Sequence, residues 1–360
     1  MKGICVEPTD KTRQKRSRRS SPTRVKLEDV ARAADVSTAT ASRVLNAPDT
    51  VSARTREKVH AAIKQLGWIP HGAAQALATL RTRTVGALIP TLGHQTIAAM
   101  LESLQSTLGD SGYTLLLGRP YNHADRTVAQ VSKMIQQGVE CMIMMGEDHP
   151  PELFSMLDEQ GIFTVIAYTS GRYGRPNCIG FDNFVEMSKL TQHLIDLGHR
   201  DFAVITRPFE GNDRIRQRIE GISYTLSQAG IAVRPQHFVS VPDWTIGSGR
   251  KGMRALLETS QRPTAVICAN DYLASGALIE ARRSGHCVPE EFSIVGFDDV
   301  DLAEHLDPPL TTIHIPARTI GEKLGRYVVD YLEGRDVALP ERIDAEMIVR
   351  GSTAPPRAEL

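Results

Sequence analysis

The chain has 360 residues, 41% of them hydrophobic and 23% charged, with 42 Lys+Arg against 42 Asp+Glu. That length supports two or three domains with a sizeable core, and no apolar run reaches the ~18 residues of a membrane span. No apolar segment of a secretory signal stands at the N-terminus, and the five cysteines are scattered without a CxxC pair, which predicts reduced thiols in a cytoplasm and neither a disulfide scaffold nor a zinc site.

The zero net charge hides an asymmetry. Residues 1–83 hold 17 Lys+Arg and 7 Asp+Glu, a balance of +10, and the remainder carries −10. A basic end on an acidic body points to a polyanionic partner at that end only. Residues 1–24 read as a disordered basic arm that could add nonspecific phosphate attraction or, equally, contribute nothing specific.

The next stretch, Leu27 to Asn46, reads as two short helices joined by a tight turn. Leu27, Val30, Ala31 and Ala34 make one apolar helical face. Asp35 falls at the turn, where a left-handed backbone is tolerated, and Val36 plugs the gap between the helices. Ser37 is the expected N-cap of the second helix, with Ala41 and Leu45 as its buried pair. Thr38, Ala39, Ser42 and Arg43 are left on the other side. A helix that starts with small hydroxylated residues and then offers an Arg suits a DNA major groove, where Arg can bond guanine O6 and N7. A third helix is expected from Ser52, carrying Val59, Ile63 and Leu66 and closed by Gly67 at C′. After Trp68-Ile69-Pro70, the Ala-rich segment 71–78 is too short to be a stable helix without a partner.

From Thr84 the pattern becomes strand–helix alternation. Strands are expected at 85–90, 113–117, 139–145, 163–167 and 177–181, with helices at 96–108, 124–137 and 151–160 between them. A second series follows, with strands at 202–206, 238–241, 265–268 and 293–296 and helices at 186–197, 214–229, 248–258 and 273–284. Continuous apolar strands between amphipathic helices imply parallel sheets covered on both faces. Two series imply two doubly wound parallel-sheet subdomains, with ligands beyond the carboxyl ends of the strands.

Val25–Asn46, Val51–Val59, Trp68-Ile69-Pro70, Asn270-Asp271, Gly296-Phe297-Asp298-Asp299 and Pro308–Ile313 together resemble the lactose-repressor/galactose-repressor (LacI/GalR) family, in order and spacing. Ile179–Phe184 with Gly198-His199-Arg200 is similar to the gluconate-repressor branch. The resemblance implies an all-α helix-turn-helix headpiece plus an α/β core of periplasmic-binding-protein type. The divisions would be an arm at 1–24, a headpiece at 25–70, a hinge helix and linker at 71–83, a two-lobed core at 84–350 and a tail at 351–360. It implies a cytoplasmic homodimer on pseudo-palindromic double-stranded operator DNA, a small sugar or sugar-acid effector, no membrane, no metal and no cofactor. The tail lacks leucine heptads, so a dimer is expected rather than a tail-linked tetramer.

The DNA-binding residues implied are Ser37, Thr38, Ala39, Thr40, Ser42, Arg43 and Asn46, with Thr38, Ala39 and Arg43 at base-reading positions. Leu77 stands at the position of a hinge leucine that wedges into the minor groove. The implied effector-binding residues are Thr91, Arg218, Trp244, Asn270 and Asp298. These types suit a polyhydroxylated ligand, since Asp and Asn hold hydroxyl pairs, Arg offers a donor fork and an indole covers a sugar face. Tyr168 replaces an acidic residue of the family, and fewer acidic groups around Arg218 would suit a sugar acid whose carboxylate pairs with that cation. Either sign of regulation, release by effector or co-repression, occurs in the family.

The rival class is an enzyme. Gly247-Ser248-Gly249-Arg250-Lys251-Gly252 formally spells the dinucleotide motif GxGxxG, but it lacks the tight strand-to-helix turn that brings N–H groups to a pyrophosphate. There is no GxSxG, HExxH or P-loop. Asp298, Asp299 and Asp301 lack a matching metal-ligand set. A transport binding protein would share the core but not the headpiece.

Overall fold

The computed structural model describes residues 25–69, 76, 79, 81–120, 123–338 and 342–357. The basic arm, Leu77 and most of the expected hinge segment lie outside them. The chain divides between Thr82 and Arg83 into two compact units.

The first unit contains helices α1 (Leu27–Ala33), α2 (Thr38–Asn46) and α3 (Ala53–Leu66). Val30, Ala31, Ala34, Ala41, Val44, Val59 and Ala62 form their core, with Leu27, Val36, Ile63, Leu66 and Trp68 packed against it. Asp35 takes the left-handed backbone at φ 55°. Ser37 caps α2 by accepting from the Thr40 N–H, and Ser52 caps α3 by accepting from Thr55. Gly67 ends α3 at φ 57°, a conformation without penalty only for glycine. One expectation is corrected: the buried pair of α2 is Ala41 and Val44, and Leu45 is only half-buried. An i, i+3 pair serves because both side chains still point to the face shared by α1 and α3.

The second unit has two parallel sheets. β1 (Thr84–Leu88), β2 (Thr114–Gly118), β3 (Val139–Met145), β4 (Phe163–Ala167) and β5 (Cys178–Ile179) lie in the order β2-β1-β3-β4-β5. β6 (Phe202–Thr206), β7 (Phe238–Ser240), β8 (Ala265–Cys268) and β9 (Ser293–Val295) lie in the order β7-β6-β8-β9. Intervening helices are α4 (Gln95–Asp110), α5 (Ala124–Gln136), α6 (Pro151–Glu159), α7 (Asn183–Asp196), α8 (Asp213–Gln228), α9 (Ile246–Leu257) and α10 (Asp271–Arg283). Observed bounds fall within three residues of those expected from periodicity.

The two-residue alternation of strands sorts the apolar side chains. Cys141, Ile143 and Met145 of β3 enter a core that runs on through Phe202 and Val204 of β6, so one apolar body joins the lobes. Met142 and Met144 face a separate cluster with Leu153 and Leu157. Ala203 and Ile205 face another with Leu273 and Ala277.

The reading of periodicity stopped at Gly296, and the structure continues with α11 (Leu302–His305), β10 (Thr312–His314), α12 (Ala317–Leu332) and β11 (Glu346–Ile348). β10 and β11 pair antiparallel, and α12 returns to pack on α4 of the first lobe. Gly321 makes that contact close, since a Cβ there would run into the Met100 carbonyl oxygen.

Candidate functional site

The carboxyl ends of strands from both sheets open on one cleft of about 440 Å³. Pro90 and Thr91 follow β1, Arg119 follows β2, Tyr168 follows β4, Arg207 follows β6, Asn270 follows β8 and Asp298 follows β9, and all line it. This is where open parallel sheets expose backbone groups and helix N-termini to a ligand. All five residues named as effector contacts, Thr91, Arg218, Trp244, Asn270 and Asp298, are brought together here.

Their own bonds limit what each can offer. Arg218 donates from Nε to Asn183 Oδ1 at 2.9 Å and from Nη1 to the Ala269 carbonyl at 2.8 Å, and its Nη2 lies 3.5 Å from Asp298 Oδ1. The guanidinium also lies over the Phe297 ring, 3.6 Å from its centroid. Burial pulls its pKa down to about 10, against the opposing field of Asp298. Protein acceptors already hold Arg218 Nε and Nη1, so what Arg218 can offer a ligand is its remaining Nη hydrogens. Asn270 caps α10, its Oδ1 accepting from the Leu273 N–H at 2.9 Å, so the amide nitrogen is what it can offer a ligand. Thr91 Oγ1 accepts from the Gly93 N–H at 3.1 Å.

Asp271, next to Asn270, works inside the fold. It is fully buried, accepts from Thr312 Oγ1 at 2.6 Å and from the Val300 N–H at 2.9 Å, and burial raises its pKa to about 7. Tyr168 sits at φ 64° and donates to the Thr96 carbonyl at 3.0 Å, and burial pushes its phenol pKa up.

Sequence reasoning missed a set of cleft residues. His94 faces Asp298, with Nε2 to Oδ2 at 3.2 Å, and meets Tyr272 edge-on at 5.3 Å between ring centroids. Arg207 lies over the Trp244 indole at 5.5 Å. Arg214 stands in the first turn of α8, and Asp243 accepts from Thr245 Oγ1 and Ser248 Oγ at 2.6 Å each. Strand ends were the available signal: Arg207 is the first residue after β6, as Asn270 and Asp298 follow theirs closely.

On the headpiece, Ser37, Thr38, Ala39, Arg43 and Asn46 are exposed, Thr40 and Ser42 half-buried. Ser37 and Thr40 bond each other through their hydroxyls at 2.8 Å, and Asn46 donates to Ser42 Oγ at 3.2 Å. Among the exposed residues of α2, Thr38, Ala39 and Arg43 are thus those without such neighbours. Leu77 lies outside the described residues.

The GxGxxG-like run lies inside α9, where it serves packing. A Cβ on Gly249 would overlap the Leu273 carbonyl oxygen, and one on Gly276 would overlap that of Ile246. These glycines let α9 and α10 cross at backbone contact. Among the described residues Asp301, Glu304 and His305 gather metal-ligand side chains, all exposed, and no helix is long and apolar enough to cross a membrane.

Residues 26–71 match the family described as bacterial regulatory proteins, lacI family, and residues 191–353 match a periplasmic binding protein-like domain. The chain is 32% identical over 330 residues to the HTH-type transcriptional repressor CytR of Escherichia coli (strain K12), covering 91% of this chain and 96% of that protein. It is 34% identical over 311 residues to the HTH-type transcriptional repressor PurR of Erwinia tasmaniensis, covering 86% and 91%. Among solved structures, the lac repressor dimer bound to operator and the anti-inducer ONPF aligns at a TM-score of 0.82 and 26% identity, over 92% of this chain and all of that one. A complex of the transcriptional regulator CelR with cellobiose aligns at 0.64 and 30% identity, over 91% and 100%.

Proposed function

The chain belongs to the lacI family of bacterial regulatory proteins, and from that membership we propose that it represses transcription as a homodimer on a pseudo-palindromic operator and is released by a small effector held in the cleft. It is a DNA-binding transcriptional repressor and not an enzyme.

The observation that carries the effector reading is the convergence of strand ends from two sheets on one cleft lined by Trp244, Asn270, Arg218 and Asp298. Amide, carboxylate and guanidinium groups recognise hydroxyl pairs, and an indole covers an apolar sugar face. A sugar or sugar acid, gluconate-like, is the class we assign. The CelR–cellobiose complex supports a sugar in a core of this kind.

Thr38, Ala39 and Arg43 lie on the exposed side of α2 and are assigned to the major groove, with Ser37, Thr40, Ser42 and Asn46 flanking them. Arg43 alone among the three can make a bidentate base contact, so operator preference rests partly on Arg43 and partly on DNA deformability. Leu77 is assigned to the minor groove at the operator centre. Dimeric assembly is supported by the operator-bound lac repressor dimer, since a two-fold dimer would match a palindromic site.

Selection of operator sites from fragmented DNA by the full chain, followed by footprinting, tests this. The expected product is a protected pseudo-palindrome, which the Arg43→Ala chain selects more weakly and with relaxed choice at the base pair that Arg43 reads. Uniform, sequence-independent protection would contradict it.

A further inference from the structure

The cleft holds more positive charge than its own acids neutralise. Four arginines, Arg119, Arg207, Arg214 and Arg218, line it against the carboxylates of Asp243 and Asp298, and Asp298 is already engaged by Arg218. Arg119, Arg207 and Arg214 are left with one cleft carboxylate between them.

Arg214 is the most informative of these. Its side chain is 13% exposed, yet its Nε has no hydrogen-bond partner among the described residues. The nearest carboxylate oxygen is Asp213 Oδ1, 4.0 Å from that nitrogen and beyond hydrogen-bond reach, while Oδ2 of the same group accepts from the Glu147 N–H at 2.9 Å. Arg207 repeats the pattern, with a buried Nε that has no partner while its guanidinium rests over the Trp244 indole. Buried guanidinium N–H groups without acceptors are costly, and desolvation accordingly lowers the Arg214 pKa. Arg214 also lies in the first turn of α8, whose amino-terminal residues Asn212 and Ile215 line the same cleft. That end of a 16-residue helix carries the positive end of its dipole.

We infer that the effector carries an oxyanion, a carboxylate or a phosphate, and that Arg214, assisted by Arg207, binds it. Arg218 then belongs to the hydroxyl-binding side of the cleft, oriented by Asn183, Ala269 and Asp298. The inference rests on the cleft being the effector site and narrows the ligand class for it. A fork–fork bond to Arg214 would supply the missing acceptors and the counter-charge together. No step of chemistry is involved, only binding.

Thermal melts and titration calorimetry of the full chain at fixed ionic strength test this, with gluconate, glucose 6-phosphate, glucose and inorganic phosphate as probes. Gluconate or glucose 6-phosphate should raise the melting temperature and bind at least about tenfold tighter than glucose. The first points to a carboxylate ligand, the second to a phosphate. Arg214→Gln should reduce the anion to the affinity of glucose, and Arg214→Lys should keep a weakened preference; a ligand-free melt of each variant checks its fold. Two results would overturn the inference: no probe anion stabilising the chain beyond chloride, or an anion preference that survives in Arg214→Gln. Tight binding of glucose that Asn270→Ala abolishes would discard the oxyanion and leave the cleft as effector site. A probe that binds Asn270→Ala and Trp244→Ala chains as it binds the wild type would count against the cleft itself.

Discussion

His94 and Asp298 meet across the cleft, with His94 Nε2 3.2 Å from Asp298 Oδ2. His94 precedes α4 of the first lobe and Asp298 follows β9 of the second, so this contact ties the lobes together at the floor of the site. The His94 Nδ1 bonds Thr96 Oγ1 at 3.1 Å, which orients the ring. A second tie runs from the Asp301 N–H to Gln95 Oε1 at 3.1 Å.

Removing that tie should loosen closure without emptying the core. His94→Ala is expected to weaken cleft ligands by about tenfold, roughly 1.4 kcal/mol, while melting within a few degrees of wild type. Calorimetry and small-angle X-ray scattering check the two halves. An unchanged affinity would mean that the lobes close without this contact.

Asp271 makes stability depend on pH. Its pKa is raised by burial to about 7 in the folded chain, against ~4 for an unfolded aspartate. The folded state therefore binds the extra proton between those values, and stability falls as pH rises from about 4 toward 7. Asp271→Asn keeps an acceptor for the Val300 N–H and a donor toward Thr312 Oγ1. Its urea midpoint should fall less than the wild-type midpoint between pH 5 and pH 8, and equal slopes would refute the assignment.

The glycines between α9 and α10 should be intolerant of any side chain. Gly249→Ala and Gly276→Ala each press a Cβ on a carbonyl oxygen of the facing helix, and overpacking of this kind costs about 1–3 kcal/mol or more. Urea unfolding measures it. Full stability in either variant would show that the helices have room to separate.

On the headpiece, capping and reading separate. Ser37→Ala removes the cap of α2 and should cost about 1 kcal/mol of headpiece stability. Arg43→Ala removes an exposed side chain and should leave the melt unchanged while operator binding weakens by about 1–3 kcal/mol, with relaxed choice at one base pair. Fluorescence anisotropy on operator and nonspecific duplexes distinguishes them.

Much of this was legible in the sequence because strands of one residue type and helices of one period announce themselves. Val139–Met145 and Phe202–Thr206 were bounded to the residue. The caps at Ser37, Ser52 and Gly67 were legible for the same local reason. The segment after Gly296 was not: β10 and β11 are short and pair antiparallel with each other, outside the strand–helix alternation that located equally short β7 and β9, and α12 carries glycines whose value lies in the facing α4. The cleft residues were named through a resemblance, which could place Arg218 but not show that Asn183, Ala269 and Asp298 occupy its donors. His94 was missed because its meaning depends on Asp298, far away in the chain, and Arg214 because a guanidinium nitrogen left buried without an acceptor shows only once the chain is folded.

The measurement that bears most directly on regulated repression is the affinity of the cleft ligand with and without saturating operator DNA. Coupling between two sites is reciprocal. If the ligand releases the protein from its operator, operator should weaken ligand binding by the same factor, on the order of 5–150-fold for typical couplings. Equal ligand affinity in the presence and absence of operator would contradict a cleft that controls the headpiece.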